Sequence, residues 1–159
     1  MTYDSRADTL RHSLRVGELV GQAIAELVRR STRHDLSKTE PPEREAFDEH
    51  TPKLQGLTYG TDEYRAVLRQ MKPAVQHHYE ANRHHPEHFP DGVAGMTLVD
   101  LVEMLADWKA AGERHGANDI GLRASLDIQR NRFGLSDQLH SILLNTAADL
   151  GWLEMEAIS

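Results

Sequence analysis

From about Ser5 to Arg30, the apolar residues Leu10, Leu14, Leu19, Val20, Ala23, Ile24, Leu27 and Val28 recur mostly three or four positions apart. That is the period of an α-helix with one buried face, not of a strand. The same period returns along the rest of the chain, and no segment alternates apolar and polar residues as a half-buried strand does. An all-α fold follows. In 159 residues there is room for one compact domain with a real core but not for two large ones. A compact single-domain helical bundle is expected, with a core over about residues 5–115 and further helices over about 118–152.

Local signals divide the chain. His12, Val16, Leu19 and Ala23 share a stripe beside the main apolar face of the first helix, so His12 is expected to point inward. Pro41-Pro42 opens a short acidic helix reaching about Glu49, because proline costs nothing in a first helical turn. Thr51 to Gly60, with Pro52, Gly56 and Gly60, reads as a loop. A helix from about Thr61 to Arg83 stacks Leu68, Met71, Val75 and His78 on one side, with Pro73 interrupting its hydrogen bonds. Pro86 to Gly95 is a loop. Thr97 followed by Asp100 has the form of a capping box opening a helix from Leu98 to about Ala111. Helices over about Gly121 to Arg132 and Ser136 to Leu150 follow, with Gly134 between them. The apolar run Leu139, Ile142, Leu143, Leu144, Ala147 and Leu150 suits burial against the core or against a second copy in a homodimer.

Composition excludes several classes. Hydrophobic residues at 39% and charged residues at 27% are ordinary for a globular protein. No stretch approaches the roughly 18 to 20 apolar residues that span a bilayer. Met1-Thr2-Tyr3-Asp4 lacks the basic and apolar regions of a signal peptide, so a cytoplasmic, membrane-free protein is expected. A formal charge of −7 argues against non-specific nucleic-acid binding, which depends on clustered Lys and Arg. With no cysteine, any bound metal must be held by nitrogen and oxygen.

The nitrogen and oxygen ligands are abundant. There are ten histidines, and five of them, His77, His78, His84, His85 and His88, fall within twelve internal positions. Adjacent His34-Asp35 can grip one divalent ion together; His12 lies a helix upstream, and Asp107 sits between Leu105 and Trp108, where an unpaired carboxylate would be costly to bury. A salt bridge or a hydrogen bond to a neighbouring helix would satisfy Asp107 equally well. Asp100 reads as a cap rather than a ligand. On one continuous helix, His78, Asn82 and His85 form one stripe and His77, Ala81 and His84 its neighbour. His78 and His85 are favoured because His78 continues the apolar row, although Pro86 disfavours helix at His85 and leaves His84 as the alternative.

The ordered set His12-Ser13-Leu14-Arg15-Val16, then His34-Asp35-Leu36-Ser37-Lys38, then Asp107, resembles the HD-domain superfamily of metal-dependent phosphohydrolases. The fuller string from His78 to Glu87, followed by Asp107-Trp108, is similar to a small HD-like family of bacteria and their phages. The resemblance covers about Arg11 to Ala111. It implies an all-helical core, His12, His34, Asp35 and Asp107 as ligands of one metal, and His78 with His84 or His85 as ligands of a second, Asp35 bridging. Lys38 matches the lysine that follows His-Asp in dinuclear phosphodiesterases of the superfamily.

The expected activity is hydrolysis of a nucleotide or another small phosphate ester. One or two divalent ions (Mn, Fe, Co, Ni, Zn or Mg) would activate water for in-line attack, with Asp35 and Lys38 as catalytic residues. Lys38, Asn82, Arg83 and Arg15 are the candidate substrate contacts, and Glu43 a candidate partner of a ligand histidine. Two other readings accompany this one: an HD-type di-iron oxygenase, since the same ligands suit iron, and a non-catalytic helical binding module with a structural metal. Gly92 to Gly95 lacks the Lys-Ser or Lys-Thr of a phosphate-cradling loop.

Overall fold

The computed structural model describes residues 4–57, 61–114 and 120–153. The described residues are all-α, with no strand among them. They form six helices, which we label α1 (Arg6–Ser31), α2 (Glu43–Gln55), α3 (Asp62–Ala81), α4 (Leu98–Glu113), α5 (Gly121–Phe133) and α6 (Asp137–Asp149). Short 3-10 turns lie at Leu36–Thr39, Pro86–His88 and Gly92–Gly95. None of the helices is long and apolar enough to cross a membrane. The backbone divides into two units, Met1–His34 and Asp35–Ser159.

The first unit is α1. It covers the span its periodicity predicts, with Ser5 before it and Thr32 after it. Ion pairs between neighbouring turns line its surface: Arg15 with Glu18 at 2.7 Å, and Glu26 with Arg29 at 2.6 Å and with Arg30 at 2.9 Å. Such exposed pairs are screened by solvent and add little to stability. Within its own unit the helix buries no residue, His12 included. One face of the helix is continuous, but a single helix has nothing within itself against which to bury a stripe.

The second unit is built around α4, α5 and α6. Met104, Leu105, Leu122, Leu126, Leu135, Leu143 and Ala147 form its buried cluster, with Trp108 and Phe133 packed against it. The two rings stack with centroids 6.1 Å apart and planes 3° from parallel. Leu126 is fully buried, which at about 25 cal/mol per Å² is worth roughly 2–3 kcal/mol. Of the apolar run on α6, Leu143 and Ala147 enter this core, Leu139 and Leu144 pack at its edge, and Ile142 and Leu150 stay exposed. Gly134 ends α5 at φ 62°, a left-handed cap that a Cβ would strain.

Two boundaries differ from the sequence reading. The second helix does not stop at Glu49 but runs to Gln55 through Pro52. A proline removes one backbone donor, whereas continuing the helix keeps half-buried Leu54 on the face of buried His50, where α2 packs on α3. The expected loop therefore shrinks to the residues after Gln55, and 58–60 lie outside the described residues. The third helix ends at Ala81, before Arg83, because Asn82 turns to extended backbone (φ −119°, ψ 115°). His84 and His85 thus lie beyond the helix, and the stripe argument that made them alternatives does not apply to them.

α4 opens as expected. Thr97 Oγ1 accepts from the Asp100 amide at 3.2 Å while Asp100 Oδ2 accepts from the Thr97 amide at 2.8 Å, a complete capping box.

Candidate metal centre

The centre is assembled on Asp35. This residue takes a left-handed backbone conformation (φ 59°), which aspartate tolerates better than most residues, and the 3-10 turn Leu36–Thr39 begins immediately after it. Around Asp35 stand His78, from the last turn of α3, and His84 and His85, from the turn that follows, closed by the His85 amide donating to the Asn82 carbonyl at 3.3 Å. Each of these four side chains offers one ligand atom, and the four atoms lie within 4.8 Å of one another. His78 Nε2 lies 2.9 Å from His85 Nε2. Asp35 Oδ1 lies 3.3 Å from His78 Nε2 and 3.4 Å from His84 Nε2. His78 and His84 are 3% and 2% exposed, so these rings are buried groups rather than a solvated surface run.

A ring of carboxylates stands behind the histidines. Glu43, at the start of α2, is fully buried and reaches His78 Nδ1 at 2.9 Å and His77 Nδ1 at 2.7 Å. Glu103, on α4, reaches His84 Nδ1 at 3.4 Å. Asp107, one turn further along α4, brings a carboxylate oxygen within 4.8 Å of a ring nitrogen of His84. His78 and His84 therefore each turn one nitrogen toward a supporting carboxylate and the other toward Asp35.

The electrostatics follow from burial and these contacts. Burial pushes the Asp35 carboxyl up, but the His78 and His84 rings beside Oδ1 and the Lys38 ammonium on Oδ2 outweigh it and hold Asp35 well below the usual carboxylate range. Burial lowers His85 to about 3, aided by His84 and His78 and opposed by the Asp107 and Asp35 charges. His85 is thus neutral near pH 7, as a metal ligand must be. Three imidazoles and a carboxylate are donors suited to first-row transition ions, and no thiolate competes in a chain without cysteine. The residues fit a divalent ion.

The chain matches a family profile described as a family of unknown function (DUF5662) over residues 1–149. It belongs to that family. No curated protein and no solved structure matches the chain. Function in this DUF5662 member has to be argued from the site itself.

The structure brings together Asp35, His78 and His85, three of the expected ligands, and places His84 with them as well. Asp107 stands next to the group. His12 lies on α1, and His34 is the residue at which the first unit ends, one peptide bond from Asp35. Lys38 Nζ holds Asp35 Oδ2 at 2.5 Å and lies 5.3 Å from the Phe47 ring centre. The other candidate substrate contacts are engaged within the protein. Asn82 Nδ2 donates to Ser37 Oγ and to the His78 carbonyl, both at 2.8 Å. Arg83 makes a two-pronged pair with buried Asp100, 3.1 Å on each prong, over the Phe89 ring. Arg15 pairs with Glu18 on α1.

Glu103 escaped the sequence reading. Its signal was there: Asp100, Glu103 and Asp107 recur three and four apart on a helix whose other residues are largely apolar, so the acids share one face.

Proposed function

We propose that this protein is a metal-dependent phosphohydrolase acting on a nucleotide or another small phosphate ester. The observation that carries the reading is the convergence of Asp35, His78, His84 and His85 ligand atoms within 4.8 Å, with Asp107 beside them. Glu43, Glu103 and Asp107 place carboxylates around the rings, a setting that favours a cation. Asp35, His78, His84 and His85 would hold the ion, which when bound supplies an acidified water and offsets phosphoryl charge.

Lys38 has a defined part in this reading. It neutralises the outer oxygen of Asp35, is one-third exposed, and is the ammonium available next to the cluster to meet a phosphoryl oxygen. Asp35 orients Lys38 from one oxygen while turning the other inward.

The test measures metal per chain by elemental mass spectrometry, on protein purified without a metal column, beside hydrolysis of a panel of nucleotides and phosphate esters. The reading expects one or two transition ions per chain, turnover that a chelator abolishes, and Lys38→Ala that keeps its metal but loses turnover by about 100-fold or more. A chain that takes up no metal when offered Mn²⁺, Co²⁺ or Zn²⁺ would refute it. Two bound irons with oxygen consumption would instead favour an oxygenase, which the three-imidazole donor set also suits.

A further inference from the structure

Glu43 has no exposed surface, yet it carries a carboxylate at the first position of a helix. Three neighbours meet its two oxygens. Oε1 meets His77 Nδ1 at 2.7 Å, and Oε2 meets His78 Nδ1 at 2.9 Å and Ser37 Oγ at 3.0 Å. An ionised carboxylate only accepts hydrogen bonds. Each of the two Nδ1 atoms must therefore carry the ring proton and donate it. A neutral imidazole has one N–H, so in the neutral form of either ring Nε2 is left with its lone pair. For His78 that lone pair faces Asp35 Oδ1 at 3.3 Å and His85 Nε2 at 2.9 Å, inside the cluster. With His78 Nε2 as acceptor, the 2.9 Å contact between the two rings is a hydrogen bond donated by His85 Nε2. His77, nearly half exposed, is the same tautomer turned outward.

We propose that Glu43 is a positioning residue that fixes two adjacent histidines in one tautomer, so that His78 presents a ready Nε2 lone pair to the metal centre while His77 is withheld from it. The claim about affinity rests on the metal reading above; the claim about tautomers does not. Ser37 and Asn82 complete the device. Asn82 donates to Ser37 Oγ and Ser37 donates to Glu43, so the turn after Asp35 and the end of α3 are tied to the same carboxylate. Glutamine cannot replace Glu43, because its amide offers one accepting oxygen where two ring donors need one each. Supporting partners of this kind change metal affinity by about 10- to 100-fold when removed.

The experiment is a two-bond ¹⁵N–¹H correlation spectrum of metal-free, histidine-labelled protein at pH 8, with His77→Gln and His78→Gln to assign the two rings. In the wild-type chain both rings are expected as the Nδ1–H tautomer. In Glu43→Gln and Glu43→Leu, at least one ring is expected to gain the Nε2–H form, and Co²⁺ affinity by titration calorimetry to fall about 10- to 100-fold while far-UV circular dichroism is retained. A wild-type His78 in the Nε2–H form overturns the proposal, and so does a His78 tautomer unchanged in Glu43→Leu. If Glu43→Leu does not fold, the wild-type spectrum and Glu43→Gln still decide. A chain with the expected tautomers that takes up no Co²⁺ supports the role of Glu43 and refutes the phosphohydrolase reading, so the two can fail separately.

Discussion

Replacing Asp100 with asparagine tests whether Arg83 belongs to the scaffold or to a substrate site. Asp100 is fully buried, closes the capping box of α4, and receives Arg83 on both oxygens at 3.1 Å. Asparagine keeps one accepting oxygen for the Thr97 amide, so the cap survives in part. It presents an amide N–H₂ to the guanidinium, so the charged pair is lost. Hydrogen bonds to charged groups are worth about 1.5–3 kcal/mol each when buried. Here the Arg83 side chain is 46% exposed and can recover water, which discounts the pair to about 2 kcal/mol in total. For a chain of this size that is a fall in Tm of about 4–8 °C. Urea denaturation followed by the fluorescence of Trp108 and Trp152, both in the second unit, reads the effect directly. In a double-mutant cycle with Arg83→Met, the coupling is expected to be about 1 kcal/mol or more. Additivity within about 0.3 kcal/mol would refute the argument and return Arg83 to the candidates for substrate contact.

Two further outcomes follow from the same geometry. His84→Ala and His85→Ala are each expected to lower Mn²⁺ uptake by at least tenfold while His88→Ala leaves it unchanged, measured by equilibrium dialysis; equal loss at all three positions would mean the run chelates non-specifically. Stability should fall on acidification. His85 is held near 3 in the folded chain against about 6.5 when unfolded, so the unfolded chain binds the extra proton between these values. This contribution is complete above pH 6.5 and is lost as pH falls from 6.5 towards 3, on the order of a few kcal/mol. Urea midpoints at pH 7.5, 6, 5 and 4 should decline more steeply for the wild-type chain than for His85→Gln; parallel curves would sink the claim.

The helices were legible because each carries a local signature. Apolar spacing marked α1, α4 and α6, Thr97 and Asp100 marked the start of α4, and Gly134 marked the end of α5. What was not legible depended on contacts made at a distance. Pro52 reads as a breaker on its own, and only packing on α3 explains a helix that runs through it. The candidate cluster was legible in kind, since Asp35, His78 and His85 were named by type and order. Treating the histidine run as helix left His84 and His85 as rivals. The turn at Asn82 carries both rings to Asp35 together, and nothing in the residue order alone states that the helix gives way to a turn there. Arg83 and Asn82 are polar residues beside the ligands, and sequence could not tell that buried Asp100 and Ser37 already claim them.

The left-handed backbone at Asp35 narrows what this position can become. Glutamate would keep the charge, but it lacks the short side chain that eases this conformation and would carry its oxygens one carbon further. Glycine would welcome the φ of 59° but bring no oxygen at all. Asparagine meets the conformational demand and keeps one oxygen while deleting the charge. A saturation library at this codon read by folding should therefore return glycine, asparagine and aspartate, whereas one read by metal retention should return aspartate alone. The difference between the two lists would separate, at a single residue, what the turn requires from what the ion requires.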